Sequence, residues 1–568
     1  MIASRANSPT RGPTEPPAER PPPSPTGGRP SGFLFQSSPL GQALGTYLPT
    51  TILIRLINFA RVLLLTWWMT QQQFGLLAMI LFTINVMIPL SSLGLNEAVA
   101  RYVPQHEAKG SLRFFTWRSA NLVAAVTIIS VLAMVFLAKP LGVFFYAQVF
   151  ADPKTFAAFS TDAAELAQLS AVVIALLVAY FYLLAVFKGL RMFAALSLIE
   201  LANSLLFLAG SVAAKLTGHL SAYTMTAVYG ISLAIPVAFF GLAFNRVLGA
   251  WPSQHQPIRN GNLAATLLKF SVWTTLAGVT WQVLVVYPAW FLNKVHGNEA
   301  VAIFSAVRQI GQFVLLGAVA VSTVIMGTVT ATWEQRGRDA ARRQLSLAFR
   351  GTGLGLLFVC AAIALPKEWL IRLFSPLYEP GAPILPLQLL FFLIGSFLAF
   401  LPIHFHLIER TRHMFWPWAV GVAANVLYAF WLAGSGPGVI RESAAWKAIT
   451  PITSAFFAVG FSDPRGLNSA AWCGVFAIAT ALFWCIVLIR AECCKLDRGT
   501  YIVIGSSLLL AARPWILAAG VVILLIVALS TDWVFSKDER RRVFQYVFGA
   551  LGHVPVVHFL RNRWHGPR

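Results

Sequence analysis

Apolar runs long enough to cross a bilayer recur along most of the chain, and no other feature narrows its possible folds so far. Hydrocarbon offers no partner for backbone N–H and C=O groups, so a spanning segment must satisfy them internally, as an α-helix of about 20 residues. Twelve stretches meet that length: 46–69, 74–95, 117–138, 167–187, 194–216, 221–245, 263–291, 299–330, 345–365, 383–407, 415–433 and 467–489. A further block, 501–531, is interrupted by Arg513-Pro514, which either kinks one long helix or divides two short ones. Only 11% of the 568 residues are charged and 57% are hydrophobic, which excludes an ordinary water-soluble enzyme. The expected class is an all-α polytopic membrane protein.

The net charge of +22 would suit a nucleic-acid binder, but its basic residues punctuate the apolar runs and form no patch or recognition motif. They read instead as loops against an anionic membrane surface, and no nucleic acid is expected. With the amino terminus cytoplasmic and 501–531 crossing twice, most of the 43 basic residues fall on the cytoplasmic side. That is the bias of the positive-inside rule. A single crossing would put Lys537, Arg540, Arg541 and Arg542 outside, so about 14 transmembrane helices and two cytoplasmic termini are expected. Residues 1–45 form a proline-rich tail expected to be disordered, and they lack the apolar core of a signal peptide. The stretch 445–460, with Pro451, is too short to span and reads as an external interfacial or re-entrant piece. The basic, aromatic tail 532–568 reads either as an interfacial segment or as a solvated one.

Cys360, Cys473 and Cys485 sit inside apolar runs, and all five cysteines lack metal-ligand spacing. No metalloprotease, nucleophile-elbow, phosphate-loop or CxxC signature is present. Neither an enzyme nor a cofactor is expected.

The segments WWMTQQQFGLLAMILFTI (67–84) and AWFLNKVHGNEAVAIFSAVRQI (289–310) each end one helix, turn near a glycine and begin another. Six crossings separate them, so the two halves should run in the same sense, as parallel repeats. Two six-helix lobes, 46–248 and 263–490, are expected, followed by a short helix pair over 500–531.

Charges inside spans cost about 2.5–3.5 kcal/mol each on insertion, so each marks a candidate site. Five stand out: Arg55, Arg61, Glu200, Lys269 and Arg308. At helical spacing, Thr51, Arg55, Asn58 and Arg61 share an arc of about 120° near mid-membrane depth. Arg308 and Gln312 share a face four residues apart, beside Gln309. These cations suit a water-filled, anion-binding cavity, because guanidinium forks onto phosphate oxygens and stays charged when desolvated. Lys269 either joins the cavity or snorkels to the surface. Glu200, in a stripe with Asn203, Ser204 and Ser211, reads as an ion-coupling relay or as a counter-ion to an arginine.

The block LPTTILIRLINFARVLLLTWWMTQQQFGLLAMILFTINVMIPLSSLGLNEAVARYVPQ (48–105), with its polar first helix and helical EAVARY segment, resembles oligosaccharide flippases of the Wzx type. These polysaccharide biosynthesis proteins belong to the multidrug/oligosaccharidyl-lipid/polysaccharide (MOP) superfamily. The pattern recurs at 263–330 and, more weakly, at GLNSAAW (466–472), and the resemblance spans about 46–490. It implies alternating access between two lobes, carrying a polyprenyl-pyrophosphate-linked oligosaccharide to the external leaflet, coupled to an ion gradient. It also implies membrane lipids and other polysaccharide-assembly proteins as partners, and an inner-membrane location. On this resemblance the cationic cavity falls on Arg55, Arg61, Arg308 and Lys269. Open alternatives are a peptidoglycan-precursor flippase, a small-solute antiporter, or a membrane-embedded glycan polymerase or ligase. The proline-rich tail and the 434–466 insertion depart from the family pattern.

Overall fold

Ten helices among the described residues are long and apolar enough to cross a membrane, one of them a run of 57 residues broken by a kink, and two shorter apolar helices follow. The computed structural model describes residue 35 and residues 40–146, 153–249, 263–401, 403–408, 410–434, 457, 460, 465–492 and 496–541. Most of the tail before residue 40, the 434–466 insertion with its 445–460 piece, and the tail after 541 lie outside the described residues. The chain is a multi-pass membrane protein.

The first bundle comprises α1 (Leu40–Trp68), α2 (Gln71–Ser92), α3 (Leu95–Ala108), α4 (Leu112–Phe136), α5 (Ala138–Tyr146), α6 (Pro153–Gly189), α7 (Phe193–Leu216) and α8 (Ala222–Gly249). The first helix thus begins six residues before the expected end of the tail, and carries Pro49 within it. The second bundle comprises α9 (Leu263–Arg336), α10 (Arg338–Ala364), α11 (Lys367–Arg372), a 3-10 segment (Pro376–Ile384), α12 (Leu385–Phe400), α13 (Ile403–Leu407), α14 (Phe415–Gly434) and α15 (Leu467–Ala491). The last block forms α16 (Arg498–Ser506), a 3-10 turn, and α17 (Pro514–Ser530). α1 packs chiefly on α7, and α6 on α5 and α8, while α2 against α9 is the principal seam between the groups.

Two glycines mark the repeated hairpins, but they serve different purposes. Gly297, at φ 80° and ψ −175°, breaks α9 into two arms, a conformation open to a residue without Cβ. Gly75 lies inside α2 and presses on the backbone of Asn298, so its bare Cα brings the two turns into contact. This end of the molecule is called the hairpin end below, and the opposite end, with Arg338, Arg342 and Arg343, the arginine-rich end.

Proline chemistry shapes the second bundle. Pro288 has no N–H to give the carbonyl of Leu284, and Asn425 Nδ2 of α14 takes that carbonyl instead, at 2.9 Å. The Cys473 thiol of α15 in turn donates to Asn425 Oδ1 at 2.9 Å. Cys360, Cys473 and Cys485 are all buried, as small core residues should be.

The break at Arg513-Pro514 divides 501–531 into two helices, not a kinked one. Both ends of this pair return to Arg350 of α10, a buried side chain absent from the five charges marked above. Its guanidinium donates to the Val534 carbonyl and to Glu539 at 2.7 Å, lies 3.7 Å from Asp497, and stacks over Phe535.

Candidate functional site

The polar stripe of α1 meets α7, its main packing partner. Arg55 is exposed, whereas Asn58 and Arg61 are half-buried. Glu200 of α7 is half-buried too, with Arg55 and Lys188 as the cations that act on it. Neither arginine makes a hydrogen bond or ion pair with a described residue. Arg61 instead lays its guanidinium over the Phe207 ring, 3.9 Å from the centroid. Phe207 stacks on Tyr229 of α8 at 4.9 Å, and Ser232 donates to Asn203 Oδ1 at 3.0 Å. The structure therefore brings together Arg55, Asn58, Arg61 and Glu200, and adds two aromatics that sequence reasoning passes over. An aromatic in an apolar run carries no signal of its own.

Arg308 has different surroundings. Only 3% exposed, it lies at the α2–α9 seam over the rings of Phe82, Phe391 and Phe392, and one amino group donates to the Val285 carbonyl across the α9 hairpin. Its Nε and second amino nitrogen have no hydrogen-bond partner among the described residues. Gln312 is half-buried on the same arm. Lys269 is exposed near the start of α9, where its neighbour Phe270 packs on Arg101 and Tyr102 of α3, away from the α1 stripe.

The hairpin end is stitched shut between bundles by side-chain donors on backbone carbonyls. Thr66 Oγ1 donates to Phe374 at 2.7 Å, Trp67 Nε1 to Leu373 at 2.8 Å and Gln71 Nε2 to Leu377 at 2.8 Å. Trp290 and Lys294 of α9 reach Phe144 and Val143 of α5, each at 3.0 Å. Towards the arginine-rich end, in contrast, α1 exposes Ile52, Leu53 and Leu56, and the second arm of α9 exposes Val319, Val321 and Met326. The hairpin end is thus held together across the bundles, and α1 exposes apolar side chains beside Arg55.

A profile of the family described as polysaccharide biosynthesis protein matches residues 41–329. No curated protein matches the chain. Among solved structures, the lipid II flippase MurJ in an inward closed conformation superposes with a TM-score of 0.58 at 13% identity, over 91% of this chain and 98% of that one. An inward-facing multidrug resistance MATE family transporter of the MOP superfamily gives 0.57 at 12% identity, over 77% and 95%. A MOP superfamily transporter from Pyrococcus furiosus gives 0.54 at 14%, over 80% and 95%. Identities this low speak for the fold, that of MOP transporters.

Proposed function

Since the chain belongs to the polysaccharide biosynthesis protein family, we propose that it is a flippase moving a polyprenyl-pyrophosphate-linked oligosaccharide from the cytoplasmic to the external leaflet by alternating access. The observation that carries this reading is the pair of guanidinium groups, Arg55 and Arg61, that make no hydrogen bond or ion pair with a described residue, on a helix whose flank exposes apolar side chains. A pyrophosphate needs the cations, a lipid tail needs the apolar flank, and a cationic drug would need carboxylates in their place. The arginine-rich end faces the cytoplasm in an inner membrane, both termini share that side, and the hairpin end faces outward. In the conformation described, Arg55, Asn58 and Arg61 form the loading site. Arg308 and Gln312 line the opposite wall once the α2–α9 seam parts, and Lys269 guides anions at the cytoplasmic rim. Glu200 carries the coupling ion.

Reconstitution in liposomes tests the reading. A polyprenyl-pyrophosphate-linked oligosaccharide placed in one leaflet should reach an impermeant glycosidase on the other side at a rate that scales with protein. A rate equal to that of protein-free vesicles would refute it. Cysteines replacing Asn58 and Gln312 give a second check in membranes. The residue 58 thiol should react with a small aqueous reagent in the resting state, and the residue 312 thiol should react faster when substrate is turning over. Protection of residue 58 under both conditions would remove the loading site.

A further inference from the structure

On α7, Glu200, Asn203, Ser204, Phe207 and Ser211 fall on one face by helical spacing, so an aromatic interrupts an otherwise polar stripe. Phe207 is 3% exposed, with the guanidinium of Arg61 3.9 Å over its ring and the Tyr229 ring stacked 4.9 Å from it at an interplanar angle of 27°. One face of a ring cannot hold both neighbours at those separations, so they lie on opposite faces, as a column running from α8 through α7 to α1. The bond from Ser232 to Asn203, one turn away, fixes the register of α7 against α8. No described residue takes the N–H groups of this guanidinium.

Resting on the flippase reading above, we propose that Phe207, backed by Tyr229, is a positioning residue for Arg61: it holds the half-buried guanidinium over its ring, where α1 meets α7, set for a bidentate grip on a diphosphate. A long arginine on a helix facing water samples many rotamers, and each must be given up when a ligand forks onto it. The ring removes most of that freedom beforehand and leaves the charge unpaired. The predicted selectivity is for a phosphate-type acceptor with two oxygens in one plane.

The test uses the full chain in nanodiscs, with inorganic pyrophosphate as probe and thermal stability read in parallel. Phe207→Leu keeps an apolar side chain but loses the ring, and should weaken pyrophosphate binding about tenfold with little change in melting temperature. Phe207→Trp should restore it. In an Arg61→Ala background, Phe207→Leu should add nothing. If Phe207→Leu folds poorly, Tyr229→Leu reads the same coupling from the far side of the column, with a smaller loss. Wild-type affinity in a stable Phe207→Leu protein, or an equal loss with and without Arg61, would overturn the inference and leave the flippase reading standing. Wild-type affinity in Arg61→Ala would overturn the site itself.

Discussion

Replacing Arg61 with alanine is expected to cut glycan export by about a hundredfold or more while the protein accumulates normally in the membrane. The size follows from two charge-assisted hydrogen bonds to a phosphate, each worth about 1.5–3 kcal/mol, against about 1.4 kcal/mol per tenfold change in binding. Stability should survive because Arg61 has no hydrogen bond or ion pair with a described residue; only its stacking on Phe207 is lost. Arg61→Lys should recover part of the activity, since an ammonium keeps the charge without the planar fork. Arg55→Ala should cost less, because Arg55 is exposed and its field is screened. Glu200→Gln separates coupling from pairing: loss of export with pyrophosphate binding intact marks an ion relay, and a parallel fall in both marks a counter-ion to Arg55. Surface glycan, measured against protein level by immunoblot, reads all four variants. Parental export by both alanine variants would exclude an anionic passenger held by this stripe.

Arg350→Ala is expected to be the most destabilising single change among the charged residues, by about 3 kcal/mol. The side chain is 5% exposed and is the meeting point of three chain segments: α10, Asp497 before α16, and the Val534–Glu539 stretch after α17. Removing it leaves the Val534 carbonyl without its donor and a partly buried Glu539 with the Ser536 N–H alone. α17 has little else to hold it, with Leu517, Leu524 and Ala528 as its buried residues and Trp515, Ile523 and Ile526 exposed. A lower melting temperature should therefore accompany tryptic cleavage at Arg540 and Arg541 under conditions where the parent resists. Acid should act at the same place. Desolvation pushes the Glu539 carboxyl up, but the Ser536 N–H and the Arg350 guanidinium outweigh it and hold the group below its ordinary value. A folded value below the unfolded one means that the stabilisation is complete above the ordinary carboxylate range and drains away as pH falls through the folded value. The melting temperature of the parent should fall below about pH 4.5. In Arg350→Ala that additional fall should be smaller, because only the Ser536 N–H still holds the carboxyl down. A variant as stable and as protease-resistant as the parent would show that the helix pair is held by other contacts.

What the sequence by itself determined is whatever depends on neighbours along the chain. Apolar runs of bilayer length must be helices because no other open segment satisfies its own backbone in hydrocarbon. The breaks at Gly297 and at Arg513-Pro514 are legible because φ freedom and a missing N–H are properties of single residues. The α1 stripe is legible because residues three and four apart share a helix face whatever surrounds them. Even here the start of α1 at Leu40 was hidden, since the residues before 46 read as tail. Tertiary structure decided the partners. Asn425 reaches the carbonyl that Pro288 frees from 141 residues away, and Arg350 reaches Val534 across 184. Arg61 and Arg308 look alike as intramembrane arginines, yet one lies half-buried on a single ring and the other is enclosed by Phe82, Phe391 and Phe392. Depth in the membrane follows from counting residues, but what a guanidinium faces at that depth depends on helices that only packing brings to it.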